Sequence, residues 1–269
     1  MIYCKNLWDS SGENSMKLIN FASVAILFAF AGCGTFGDNA KNVSQKKLVV
    51  IADVCKTNGF ISARKTNADA ISAAGFLPVL IPNLADTNAV AAIMDRADAL
   101  VLTGAISNSD YPVRNKFESM LLDMAVERGM PVVGFCRGHQ FINRYFGGKI
   151  ATIPKDRSPK VAHRGKISPY IEDCFHEVEI VPGTRLEKSF GARRVKVNTS
   201  HGFHVTKLGE GLVVTARSDD GIIEALEHKT RPITGFQFHP ERICLLYPGH
   251  LQAIRDAINH PASGKRAYK

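Results

Sequence analysis

Two short segments of this sequence carry residue types that together can cleave an acyl bond. In the first, Val132-Val133-Gly134-Phe135-Cys136-Arg137-Gly138, an apolar run leads into a cysteine with glycine two residues away on either side. Phe141, Ile142, Tyr145 and Phe146 follow at helical spacing. A thiol at a sharp strand-to-helix turn stands out at the carboxyl edge of a sheet, and the turn is so tight that flanking side chains must be absent. The helix start adds positive potential, which favours thiolate, and aims backbone N–H groups at a carbonyl under attack. Alone, the segment fits a buried cysteine at a glycine-rich turn equally well. In the second segment, Gly235-Phe236-Gln237-Phe238-His239-Pro240-Glu241, an apolar strand delivers a histidine at its carboxyl end. Glu241, two residues on, points to the same side in extended geometry. Its carboxylate can accept from Nδ1 and hold the imidazole toward sulfur. Nucleophile, base and orienting acid are the parts of a covalent hydrolase. Alone, this segment also fits a surface turn.

The elements that must hold these residues follow from hydrophobic spacing. Lys47–Ala52, Leu77–Ile81, Ala99–Leu102 and Pro131–Phe135 are short apolar runs with polar borders, the pattern of buried strands. Between them, helices are expected through Ala68, Ile71, Ala73 and Ala74 up to Gly75, over Ala89–Arg96, and from Arg114 to Arg128. In the last, Phe117, Met120, Leu121, Met124 and Ala125 recur on one face, and Gly129 and Pro131 stop it. Such alternation predicts an α/β fold with a mostly parallel central sheet and helices on both faces. Beyond Cys136 the pattern changes. His176–Val181, Arg194–Asn198, Leu212–Ala216, Ile222–Leu226 and Ile233–Phe238 read as strands with few helices between them. They predict either an antiparallel C-terminal extension or further strands of the same sheet. A last helix over His250–Ile258 and a basic tail at 261–269 complete a single domain of residues 47–260.

With 269 residues, the chain fits one or two domains. Residues 1–34 stand apart: from Met16, one lysine precedes a short apolar run ending in Phe30-Ala31-Gly32-Cys33. This layout is that of an export signal, and its end resembles a bacterial lipoprotein signal with Cys33 lipidated as the mature N-terminus. An ordinary cleaved signal and an uncleaved anchor are the alternatives. The lipoprotein interpretation implies a flexible tether at 35–46 and an exported enzyme held on a bacterial membrane, facing the periplasm or cell surface. The formal net charge of +9 comes from Lys and Arg spread along the chain, with no nucleic-acid motif beside them. A nucleic-acid partner is therefore not expected. None of the six cysteines has metal-site spacing, so neither a metal nor a cofactor is expected. Cys55, Cys174 and Cys244 remain as thiols, two of which an oxidising compartment would allow to pair.

The segments PVVGFCRGHQFIN..FGG at 131–148, VNTSH at 197–201, DGIIEALE at 220–227 and GFQFHPE at 235–241 resemble, in order and spacing, the class I glutamine amidotransferase superfamily. Within it they are most similar to the gamma-glutamyl-gamma-aminobutyrate hydrolases, peptidase family C26. The resemblance spans Leu48 to Glu241 and implies the flavodoxin-like fold of that superfamily. It further implies that Cys136 is nucleophile, His239 base and Glu241 its orienter, in hydrolysis of a γ-glutamyl amide through a glutamyl thioester. Thr103-Gly104-Ala105 occupies the family's oxyanion loop, which implies the backbone N–H groups of Ala105 and Arg137 as oxyanion donors. Ala105 replaces a glycine and resists positive φ, so a shifted or weaker hole is expected. Arg114 and Glu118 resemble an Arg-Asp-x-x-Glu motif, with Asn115 in the place of Asp. Gln140, His201 and Gly104 carry over as substrate-binding residues, with His201 also the rival base. His139 reads as structural. The divergent stretch after Ala105 points to altered substrate selection. Two other functions compete: a glutaminase feeding ammonia to a synthetase, and a non-catalytic surface lipoprotein that binds γ-glutamyl compounds.

Overall fold

Each apolar run of the N-terminal half is hydrophobic on both faces, so it is stable only inside a sheet covered on both sides. The computed structural model describes residues 46–52, 54–55, 61–62, 64–105, 112–153, 161–163 and 174–261. The expected signal with Cys33, most of the tether, residues 262–269 and the side chain of Cys55 lie outside them. Along the chain the first elements are β1 (Leu48–Ala52), the short β2 (Val54–Cys55) and β3 (Ile61–Ser62), α1 (Lys65–Ala73) and β4 (Leu77–Ile81). Next come α2 (Thr87–Met94), β5 (Ala99–Leu102), α3 (Pro112–Glu127), β6 (Val132–Phe135), α4 (Arg137–Tyr145) and β7 (Lys149–Thr152). The second half holds β8 (Cys174–Ile180), α5 (Arg185–Phe190), β9 (Arg194–Thr199), β10 (Phe203–Lys207) and β11 (Leu212–Ser218). It ends with β12 (Ile223–His228), β13 (Ile233–Phe236), α6 (Pro240–Ile243) and α7 (Pro248–Asn259).

Nine of these strands form one sheet in the order β4-β1-β5-β6-β13-β12-β11-β8-β9. The pairs β4–β1, β1–β5, β5–β6 and β6–β13 are parallel, and every pair from β13 to β9 is antiparallel. The two expectations for the C-terminal strands are thus both met: they run antiparallel and they extend the same sheet. Successive side chains of a strand point to opposite faces. Val49 and Ile51 accordingly enter one core with Ala70, Ile71, Ala253 and Ile254 of α1 and α7. Val50 and Ala52 enter the other with Val90, Phe117, Leu121 and Ile142 of α2, α3 and α4. In β8 only alternate residues are buried, which is why that region has strand periodicity without covering helices on both sides.

Three features depart from the sequence expectation. The β7–β10 ribbon is antiparallel and separate from the main sheet; β7 is largely exposed, so it lacks the hydrophobic signature of a strand. Helix α5 has a Thr184 cap, whose hydroxyl accepts from Glu187 N, and Gly191 closes it in the left-handed conformation, signals that spacing of apolar residues does not capture. The strand expected to reach Phe238 ends at Phe236. Among the described residues, no helix is long and apolar enough to cross a membrane. Cys136 and Cys244 are buried thiols.

Candidate active site

Cys136 sits between β6 and α4 with φ 50° and ψ −100°. It is the only residue other than glycine with positive φ among the described residues. Such a conformation costs about 1–3 kcal/mol and persists only where its surroundings enforce it. Here the surroundings are backbone packed on backbone. A Cβ at Gly134 would lie 2.6 Å from the carbonyl carbon of Gly138, and one at Gly138 would lie 2.1 Å from the Leu102 carbonyl oxygen. Glycine at these two positions lets β6, α4 and β5 meet. The amide of Cys136 donates to Phe236 O at 2.7 Å, tying the turn to β13.

Parallel pairing of β6 with β13 sets Phe236 beside Phe135, so both chains leave the same sheet edge and His239 arrives next to Cys136. His239 N donates to Asn198 O, and Pro240 opens α6 immediately afterwards. His239 Nδ1 lies 2.7 Å from Glu241 Oε1, and the ring also hydrogen-bonds the Cys136 side chain. Cys136, His239 and Glu241 are 5%, 2% and 4% exposed. Gly104 backs the pair: a Cβ there would stand 3.2 Å from His239 Cε1 and 3.6 Å from Cys136 Cβ. Burial and then the Arg242 guanidinium pull the His239 pKa down, but Glu241 and Cys136 outweigh them and raise it to about 9. The acidity of Glu241 is strengthened despite its burial, because His239 and Arg242 favour its charged form. A thiol, an imidazole that holds its proton to high pH and an orienting carboxylate can together carry out nucleophilic acyl transfer.

Arg242 was not singled out in the sequence, although a cation directly after His-Pro-Glu was visible there. Its Nη2 lies 3.1 Å from His239 Nε2, and its Nε lies 3.7 Å from Glu241 Oε1. A guanidinium can donate only to a bare Nε2, so this contact favours the neutral ring and opposes the imidazolium.

The loop after β5 is held from below by buried charges. Arg114, 1% exposed, donates from Nη2 to Thr103 O at 2.9 Å and from Nη1 to Gly104 O at 3.4 Å. Its Nε meets Glu118 Oε1 at 2.6 Å, while Arg137 Nη1 meets Glu118 Oε2 at 2.5 Å. Arg137 also donates to Asn115 Oδ1, so the amide in the motif's acidic position still serves as an acceptor. One carboxylate thus links the two residues whose segments flank Cys136. Ala105 is not among the residues with positive φ, so the strain expected from its side chain does not arise.

Two residues expected to contact substrate also bond within the protein. His201 is 4% exposed; its Nδ1 bonds Phe203 O at 2.9 Å and its Nε2 faces Glu224. Nδ1 is thus committed to the chain's own backbone, while Nε2 is turned toward the buried carboxylate of Glu224. Gln140 gives its amide hydrogens to Phe203 O and Gln237 Oε1 and so orders the wall between α4 and the strands beside it. His139 is fully buried, its pKa pushed down to about 4 by burial, in keeping with a structural role. Missed in the sequence was the gathering of His163, His176 and His201 around Glu224. Their separation along the chain gave no motif.

The sequence profile of the Peptidase C26 family matches residues 43–241, a stretch that includes the elbow, the oxyanion loop and the His-Pro-Glu segment. The chain belongs to the Peptidase C26 family. It is therefore one of the cysteine-type amidotransferases and hydrolases that act on C–N bonds. A putative glutamine amidotransferase of Schizosaccharomyces pombe is 31% identical over 218 residues, covering 75% of this chain and 83% of its own. A putative glutamine amidotransferase-like protein of Lactococcus lactis is 28% identical over 192 residues, 66% of this chain and 80% of its own. In fold, the protein resembles a putative GMP synthase component from Thermoplasma acidophilum, with TM-score 0.61 at 20% identity over 79% of this chain and 93% of that one. The C26 family and this likeness agree with the class I glutamine amidotransferase fold that the sequence implied.

A pH dependence follows for this C26 protein. A pKa raised from 6.5 to about 9 means that the protonated His239 stabilises the folded state fully below pH 6.5, a contribution lost as the pH rises through about 9. Catalysis that needs this proton falls over the same range. We expect kcat/KM to decline with a midpoint near pH 9, as a pH–rate profile of the free enzyme would show; a decline centred near 6.5 would contradict it.

Proposed function

We propose that this protein hydrolyses γ-glutamyl amides through a glutamyl thioester on Cys136. The observation that carries the proposal is the burial of Cys136 beside His239, itself aimed by Glu241 at 2.7 Å. Cys136 Sγ attacks the amide carbon as thiolate. The tetrahedral oxyanion is stabilised by the backbone N–H groups of Arg137, at the start of α4, and Ala105, each typically worth about 3–4 kcal/mol. His239 gives its proton to the departing amine, then takes one from water, which attacks the thioester and releases glutamate. The printed names of the relatives, glutamine amidotransferases, support a γ-glutamyl group as the acyl part, since glutamine is its simplest amide. The signal-like stretch ending at Cys33 supports a lipid-anchored enzyme on the outer side of a membrane, which argues against feeding ammonia to a synthetase.

The test is a panel of glutamine and γ-glutamyl amines assayed with the wild type and Cys136→Ala. Release of glutamate by the wild type alone is expected, and mass spectrometry of the quenched wild type should find a glutamyl adduct on Cys136. Equal turnover by both proteins, or by neither, would remove the proposal and favour a binding role.

A further inference from the structure

Three imidazoles converge on one buried carboxylate in the antiparallel half of the sheet. His163 Nδ1, His176 Nε2 and His201 Nε2 lie 3.3, 3.5 and 3.4 Å from Glu224 Oε1. All four side chains are at most 5% exposed. Among the described residues, none of these three nitrogens has a hydrogen-bond partner, and neither carboxylate oxygen of Glu224 has one. A charge-assisted hydrogen bond would bring nitrogen and oxygen to about 2.7–2.9 Å, well inside the observed separations.

The far nitrogen of each ring shows which tautomer is present. His163 Nε2 lies 3.0 Å from Asp220 Oδ2, His176 Nδ1 lies 3.1 Å from Glu177 O, and His201 Nδ1 lies 2.9 Å from Phe203 O. Each acceptor is an oxygen with no hydrogen of its own, so the ring must place its proton there. In a neutral ring the nitrogen that faces Glu224 is then a lone pair. Three lone pairs aimed at a buried carboxylate are unfavourable unless cations lie between, either protons on the rings or a metal ion. This is the usual arrangement behind metal-bound histidines, whose second nitrogen donates to a carbonyl or carboxylate. Tetrahedral zinc bound at about 2.0–2.1 Å holds its ligand atoms roughly 3.3–3.4 Å apart, close to the distances from Glu224 Oε1 to His163 Nδ1 and His176 Nε2.

We propose that His163, His176 and Glu224, whose ligand atoms lie within 4.8 Å of one another, bind one divalent first-row transition ion, zinc by preference, with His201 beside it. The three ligands are buried and come from separate segments, so the ion would act on the packing of this half of the sheet. It joins β8 and β12 to the segment at His163, beside the turn after β9. That segment already accepts the His201 amide at its own carbonyl. The same turn carries Phe203, whose carbonyl receives Gln140 of α4, so the ion stiffens the wall behind the helix that begins at Cys136. The absence of a metal expected from the sequence rested on close spacing, and these ligands are scattered from 163 to 224. The site does not depend on the chemistry proposed for Cys136.

The full-length protein, expressed with zinc in the medium and desalted, should carry about one zinc per chain by elemental mass spectrometry. Cys136→Ser should keep it, which separates this site from a thiolate, while Glu224→Gln and His176→Ala should lose it. Asp220→Ala, which leaves every ligand in place, should weaken zinc binding about 10–100-fold. Cobalt grown in place of zinc should give the intense visible bands of a four-coordinate ion. Should some variants fail to fold, the wild type still decides: a chelator should lower its thermal midpoint and added zinc restore it. Substoichiometric metal in zinc-grown wild type with a midpoint indifferent to chelator would overturn the proposal. Full zinc retention by Glu224→Gln would overturn it as well.

Discussion

On the proposed chemistry, a His239→Asn protein will turn over γ-glutamyl substrates about 10⁴-fold more slowly in kcat/KM, while remaining folded. In the proposed chemistry the imidazole has two tasks, taking the Cys136 proton and giving a proton to the leaving amine. General acid–base participation alone is typically worth about 10²–10⁴, and loss of one member of such a triad reaches the upper figure. Folding survives because the carboxylate of Glu241 is not left alone: Arg242 Nε stays 3.7 Å from Oε1. Steady-state kinetics together with circular dichroism and a thermal midpoint would check both halves. A loss below tenfold in a folded protein would assign the base elsewhere.

Glu118→Ala will lower stability by about 3–5 kcal/mol, the range for breaking a buried ion pair from one side. In a domain of this size that is a fall of roughly 6–20 °C in thermal midpoint. The argument rests on charge. Glu118 is 1% exposed and bonds Arg114 through one oxygen and Arg137 through the other. Its removal leaves two buried guanidiniums facing each other without their anion, and burial already acts against the charged form of Arg137. The same loss frees Arg114, which holds the Thr103 and Gly104 carbonyls, so activity should fall even where the variant folds. Calorimetry would measure the first effect. A midpoint within a degree or two of wild type would show that the triad of charges contributes little.

The two halves of the candidate site were legible in the sequence because each is local, although their meeting depends on the pairing of β6 with β13. The elbow needs Gly134 and Gly138 at fixed offsets from Cys136, and His239 and Glu241 are two residues apart. The parallel core was legible for the same reason: β1, β5 and β6 are short runs buried on both faces. What spacing could not show is contact made by distant segments. His201 sits in a family-like segment and reads as a substrate contact, yet its partners are Phe203 and Glu224, and pairing of β8 and β11 with their neighbours brings those groups together. Ala105 was read through the glycine it replaces, whereas its backbone takes a conformation that any residue can adopt. The β7–β10 ribbon escaped notice because exposed strands carry no hydrophobic alternation.

The register of β13 has a consequence during synthesis. This strand is the last of the sheet to be made, yet it occupies the middle, between the parallel strands and the antiparallel ones. A growing chain completes the elbow at Cys136 long before the ribosome delivers Phe236, whose carbonyl anchors the Cys136 amide, or His239 beyond it. Until then the two halves have no shared seam and the thiol has no base. Chains cut short before residue 233 are therefore inert, and reactivity at Cys136 reports that translation and closure of the sheet are both complete.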